Sequence, residues 1–245
     1  MNIMKRLGLI TLFFALSLTI YCQTINELYV GFNGGFTYSN ISTKNNIASN
    51  YDFKGGFLSG LNFGFKLKSK LSIETNINFY QNGYNENEKV IMISPDYSAK
   101  NSYLGFKNLY TQDYINNSWL IGYSFGNKIE IIVQAGAYWA YLIQSRYEKT
   151  NLIDVDPIDA NKLLMSPGYT ESIQKGTLAK SANTQFDLGL SAGFGLGYNL
   201  NEKFKVLFNA RYNRGIIDYS KQVFFSPITS YNNSFNFTFG LRMKI

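Results

Sequence analysis

The stretch Gln185-Phe-Asp-Leu-Gly-Leu-Ser-Ala-Gly-Phe-Gly-Leu-Gly-Tyr-Asn199 divides into two faces without an exception. Phe186, Leu188, Leu190, Ala192, Phe194, Leu196 and Tyr198 fall on one face. Gln185, Asp187, Gly189, Ser191, Gly193, Gly195, Gly197 and Asn199 fall on the other. A period of two marks a β-strand with one apolar side. The run is far longer than the usual strand of about 5 or 6 residues. It suits a tilted strand that crosses a bilayer, which needs about 9–11 residues.

Seven further segments repeat the pattern. Phe204, Val206, Phe208, Ala210 and Tyr212 alternate with Lys205, Leu207, Asn209, Arg211 and Asn213. Ile129 to Ile143 place Ile131, Val133, Ala135, Ala137, Trp139 and Tyr141 opposite Glu130, Ile132, Gln134, Gly136, Tyr138, Ala140, Leu142 and Gln144. Leu71, Ile73, Thr75, Ile77 and Phe79 oppose Ser72, Glu74, Asn76, Asn78 and Tyr80. The C-terminal stripe runs Phe235, Phe237, Phe239, Leu241, Met243, Ile245, and two near the front run Leu28 to Tyr38 and Phe57 to Leu67. The weakest is Trp119, Ile121, Tyr123 and Phe125, whose upstream half, Asp113 to Ser118, is polar.

Eight such segments fit a soluble sandwich as well as a membrane barrel, so the connections decide. Lys68-Ser69-Lys70, Gly126-Asn127-Lys128 and Leu200-Asn201-Glu202 are tight turns. Ile41–Lys54, Tyr84–Gly105, Ser145–Thr184 and Asp218–Asn233 are long and polar. Short turns at one end and long loops at the other characterise outer-membrane barrels. Lys5 and Arg6 ahead of an apolar run from Leu7 to Tyr21 read as an export signal, too short to span a bilayer. The expected organisation is therefore a cleaved signal peptide, 1–22, and a single barrel domain, 23–245. The alternative is lipidation of Cys22, though Tyr21 stands where a lipidation signal wants a small residue. The expected fold is all-β: an eight-stranded antiparallel up-and-down transmembrane β-barrel with short periplasmic turns and long external loops.

Composition supports this and narrows the chemistry. The 245 residues include 17% aromatics and only 16% charged residues, with one Cys and no His. Disorder and a helical bundle both want the opposite balance. Without histidine there is no Ser-His-Asp or Cys-His triad, no His-ligated zinc and no imidazole base. The net charge of +7 is spread too thinly for a nucleic-acid footprint. No catalytic residue, cofactor site or metal site is expected. Gly193-Phe-Gly-Leu-Gly197 lacks the following helix of a dinucleotide loop. Asp154, Asp156 and Asp159 lack the glycine and distal glutamate of a calcium loop, and Glu86 and Glu88 read as solvated loop acids.

The polar face carries the candidate site. An eight-stranded barrel has an interior just wide enough for side chains to fill. Glu74, Glu130 and Asp187 are expected to pair across it with Lys66, Arg211 and Arg242, giving a plug rather than a pore.

The chain resembles the outer-membrane β-barrel domain proteins typified by PorT-like proteins and the OmpA- and OmpX-like eight-stranded barrels. The likeness rests on Gly31-Phe-Asn-Gly-Gly-Phe-Thr-Tyr-Ser-Asn40, Gly55–Leu67, Leu71–Gly83 and Gly122-Tyr-Ser-Phe125. Ala135-Gly-Ala-Tyr138, Phe186-Asp-Leu-Gly189, Gly193–Tyr198, Ala210-Arg-Tyr-Asn213 and Phe239-Gly-Leu241 complete it. It departs from the pattern in ending on Ile245 rather than an aromatic. The resemblance implies a Gram-negative outer-membrane location and, from PorT itself, association with a protein-secretion apparatus. Expected partners are outer-membrane lipid, the barrel-assembly machinery and envelope or secretion-complex proteins, with no nucleic acid. The leading function is non-enzymatic, structural or partner-binding through the external loops. The alternatives are a secretion accessory and a narrow channel or hydrophobic-ligand transporter.

Overall fold

The computed structural model describes residues 25–44, 50–67, 70–91, 103–155, 168–178, 184–218 and 229–245. The expected signal, residues 1–22, lies outside them, as do Asp156 and Asp159. Nine strands are described: β1 Ile25–Lys44, β2 Asn50–Leu67, β3 Leu71–Ile91, β4 Tyr103–Phe125, β5 Ile129–Val155, β6 Gly168–Thr177, β7 Phe186–Asn199, β8 Phe204–Gly215 and β9 Thr229–Lys244. Eight of them form a closed antiparallel ring. Each pairs with its sequence neighbours except that β5 passes directly to β7, and β9 returns to β1 along Tyr29↔Lys244 to Lys44↔Thr229. Closure removes the unpaired edges that an open sheet exposes.

The strand β6 stands outside the ring. It pairs with the upper part of β5, from Arg146↔Thr177 to Val155↔Gly168, beyond the point where β7 leaves β5 at Tyr141↔Phe186. The polar stretch 145–184, expected as a loop, is thus largely a hairpin. The other long connections shrink in the same way, because β1 runs on to Lys44, β3 to Ile91, and β4 starts at Tyr103. Their backbone ladders continue past the apolar belt. Apolar and polar residues mix on both faces there, as in Leu104, Phe106 and Leu109 beside Lys107 and Asn108 of β4, so the hydropathy alternation ends before the strand does.

The two faces are inverted relative to a soluble barrel. Phe186, Leu190 and Phe194 of β7 are 57%, 60% and 55% exposed, while Asp187 and Ser191 between them are buried. Phe32, Phe36, Trp119, Ile121, Ile129, Ile131, Val133 and Phe239 extend the exposed apolar surface around the ring. The interior holds Asn33, Asn62, Asn76, Asn78, Asn116, Asn209 and Asn236. Among the described residues no helix is long and apolar enough to cross a membrane. The crossing elements are strands.

Two irregularities bend the wall. Pairing between β2 and β3 breaks between Phe53↔Tyr84 and Leu58↔Tyr80. Inward side chains of β1 take over the lost ladder bonds there. Thr37 Oγ1 donates to the Gln81 carbonyl (2.6 Å), and Ser39 Oγ accepts from the Gly83 N–H (2.9 Å). On β5, the register steps from Tyr114↔Leu142 to Asp113↔Gln144. Ile143 and Gln144 are both exposed as a result and Ser145 is buried, so Gln144 leaves the inward set that strict alternation assigns it.

The turn between β4 and β5 depends on Gly126, whose φ is +93°. A Cβ there would lie 2.1 Å from the Ile129 carbonyl oxygen. Gly126→Ala is expected to lower unfolding free energy by about 1–2 kcal/mol. Urea titration of the refolded protein in lipid vesicles reads it, and an unchanged midpoint would count against the turn geometry.

Candidate functional site: the filled lumen

Side chains of the inward face stack in layers along the barrel axis. At the short-turn end, Glu130 accepts from two lysines, Lys66 Nζ at 3.2 Å and Lys205 Nζ at 3.0 Å. Beside it Arg242 pairs with Glu74, and the Tyr29 hydroxyl donates to the same carboxylate (3.2 Å). The Arg242 guanidinium lies over the Tyr29 ring, 4.4 Å from its centroid. Lys244 and Glu27 approach to 3.9 Å at the mouth. Glu74, Glu130 and Arg242 are buried, so these pairs are shielded far better than surface ion pairs.

Asparagines occupy the middle, and an aromatic layer lies above them: Leu58, Tyr80, Tyr114, Tyr138, Ala140 and Leu142 pack into one cluster. Tyr84 and Ile41 form a second cluster higher up, with Tyr51 and Tyr110 against it. Tyr84 and Tyr110 face each other across β3 and β4 with rings stacked at 4.6 Å. Burial, with the Glu86 carboxylate adding to it, pushes the Tyr110 hydroxyl up to about 12.

The glycines of β7 have a specific use. A Cβ on Gly193 would fall 2.3 Å from the Ala210 carbonyl, and one on Gly195 2.4 Å from Asn209 Oδ1. They leave room for the neighbouring strand and its inward side chains, including Arg211.

Of the six residues expected to form a charge network, the structure joins Lys66 to Glu130 and Arg242 to Glu74. Asp187 and Arg211 are not joined to an opposite charge within 4.0 Å among the described residues. Asp187 instead accepts from the Tyr138 hydroxyl (3.2 Å) and Asn232 Nδ2 (3.0 Å), up in the aromatic layer. Arg211 sits opposite Gly193. Six residues of strand, about 20 Å, separate that level from Asp187. Alternation places a residue on a face; its height in the lumen comes from pairing register. Lys205, the second cation on Glu130, was legible as an inward position but carried no mark of a partner.

Farther out, Arg146 pairs with Asp113 at 2.7 Å, and Gln81 donates to the same carboxylate (2.9 Å). Glu148 and Lys175 join β5 to β6 at 2.9 Å. Among the described residues Glu74 and Glu130 are held by cations, while Asp187 and Arg211 are not.

The family described as "Outer membrane protein beta-barrel domain" matches residues 21–221. No curated protein matches the chain. Among solved structures, the chain is similar to the outer membrane protein OprG of Pseudomonas aeruginosa, at 12% identity over 91% of this chain and 98% of that one, with a TM-score of 0.45. Neisserial surface protein A is similar at 12% identity over 90% and 99%, with a TM-score of 0.38. Ail, the attachment invasion locus protein of Yersinia pestis, is similar at 10% identity over 88% and 99%, with a TM-score of 0.36. At these identities and scores the three carry no argument about activity.

Proposed function

Since the chain belongs to the outer-membrane β-barrel domain family, we propose that it is a non-enzymatic barrel of a Gram-negative outer membrane that binds a partner through the β5–β6 hairpin. On this reading residues 1–22 are the export signal and the lumen is a plug. Outer-membrane lipid surrounds the belt, the assembly machinery inserts it, and an envelope or secretion-complex protein, as the PorT resemblance implies, is the partner.

The observation that carries the reading is the hairpin itself. β5 has 27 residues, far more than a crossing needs, and its upper part supports β6. Among the described residues β6 pairs with no other strand, and Tyr169 and Ile173 on it are 58% and 55% exposed. An extended edge with exposed apolar side chains is suited to adding a partner's strand.

Removing residues 150–173 and closing Lys149 to Gln174 with a two-residue turn takes away only the outer end of the β4–β5 ladder, Tyr103↔Asp154 to Lys107↔Thr150, and leaves the pairs from Asn108↔Lys149 to Phe125↔Ile131 and every β5–β7 pair in place. The shortened protein is expected to keep its heat-dependent gel shift. Proteins that co-purify with the full chain from native membranes should be lost. Loss of the gel shift, or an unchanged set of co-purified proteins, contradicts the proposal. Planar-bilayer recordings are expected to show no large stable conductance.

A further inference from the structure

Between the ion pairs and the aromatic layer lies a small enclosed cavity. Asn33 of β1, Asn78 of β3, Asn116 and Ser118 of β4, Arg211 of β8 and Asn236 of β9 all line it. Each of these six residues has a buried polar atom with no hydrogen-bond partner within the protein, including Arg211 Nε, Asn116 Nδ2 and Ser118 Oγ. Clustering of unpaired groups around one cavity is unusual, since buried polar atoms are nearly all paired.

The charge is the second peculiarity. Among the described residues no carboxylate lies within 4.0 Å of Arg211, and the nearby acid Glu74 is already held by Arg242 and Tyr29. Arg211 is partly buried with its Nε closed off from solvent, so the missing counter-charge carries a cost, and a guanidinium does not escape by losing its proton. The barrel is too narrow for another long side chain to reach in. A counterion of solvent origin meets both needs. We propose that this cavity is a binding site for one small monovalent inorganic anion of chloride size. It is held by the N–H of Arg211 Nε, the amide of Asn116 and the hydroxyl of Ser118. The orphaned atoms of Asn33, Asn78 and Asn236 are their Oδ1 oxygens, and Asn33 Nδ2 donates to Asn76 Oδ1 (3.4 Å), so these residues add a donor only where an amide turns over. A single negative charge balances the charge of Arg211. A larger oxyanion such as sulfate brings excess charge and bulk into an enclosed space.

The test compares thermal unfolding of the full chain in detergent with sodium chloride or sodium gluconate at equal ionic strength. Gluconate is too large to enter. Chloride at ten times its dissociation constant is expected to raise the midpoint by about 3–6 °C. Arg211→Gln, which keeps a polar side chain without the charge, should fold and lose the chloride dependence. Ser118→Ala should weaken it. Equal midpoints in the two salts overturn the proposal, and so does a chloride dependence that survives Arg211→Gln. If Arg211→Gln fails to fold, crystals of the unaltered protein grown in bromide decide the case by anomalous scattering. One bromide peak beside Arg211 supports the site, and water alone in the cavity overturns it.

Discussion

Replacing Glu74 with alanine is expected to destabilise the barrel by about 3–5 kcal/mol, because it strands a buried cation. Arg242 is only 8% exposed, and Glu74 is the carboxylate its guanidinium meets. The same substitution removes the acceptor of the Tyr29 hydroxyl and the acid nearest Arg211. Losing one partner of such a pair costs far more than losing both. The double variant Glu74→Leu with Arg242→Met removes both charges and keeps volume, so it should recover most of the stability. Urea unfolding of protein refolded into lipid vesicles reads both. A loss below about 1 kcal/mol for Glu74→Ala is the range of solvated surface pairs, and would mean that the lumen is wet and open rather than filled.

The second large effect concerns the outer face. Leu190 and Ile173 are almost equally exposed, 60% and 55%. Exposure alone treats them alike. Leu190 lies in the middle of β7, within the apolar belt, and Ile173 lies on β6, outside the ring. An arginine in place of Leu190 must sit in hydrocarbon, at an expected cost of about 2–4 kcal/mol near the bilayer midplane. Ile173→Arg enters water and should change stability by no more than about 0.5 kcal/mol. The difference between the two unfolding free energies in vesicles measures where the belt ends. Equal costs would contradict a membrane-embedded ring.

These two predictions also separate what the sequence made legible from what it hid. The ring was readable because lipid on one side and a packed lumen on the other force strict alternation, and β7 keeps it without a break. The hairpin of β6 was hidden, since water bathes both of its faces and erases the period that betrays a strand. Residues 145–184 therefore looked like a loop although Glu148 and Lys175 clasp two paired strands there. The ends of the ion pairs were half legible. Lys66, Glu74, Glu130 and Arg242 lie at matching heights and meet, whereas Asp187 and Arg211 share the inward face but lie at different levels. Parity contains no information on register, and the bulge at Ile143 moves even the parity of Gln144.

The central claim is that the apolar stripe of β7 faces lipid and the polar stripe faces a filled lumen. A nitroxide scan tests it most directly. Cys22 is the only cysteine of the chain, so with it removed each introduced cysteine across 186–199 carries a unique label. In liposomes, labels at positions 186, 188, 190, 194 and 196 are expected to be relaxed by oxygen, which concentrates in hydrocarbon, and to be protected from a water-soluble nickel reagent. Labels at 187, 189, 191, 193 and 195 should be shielded from oxygen. The opposite phase, or nickel access at the even positions, would contradict the account.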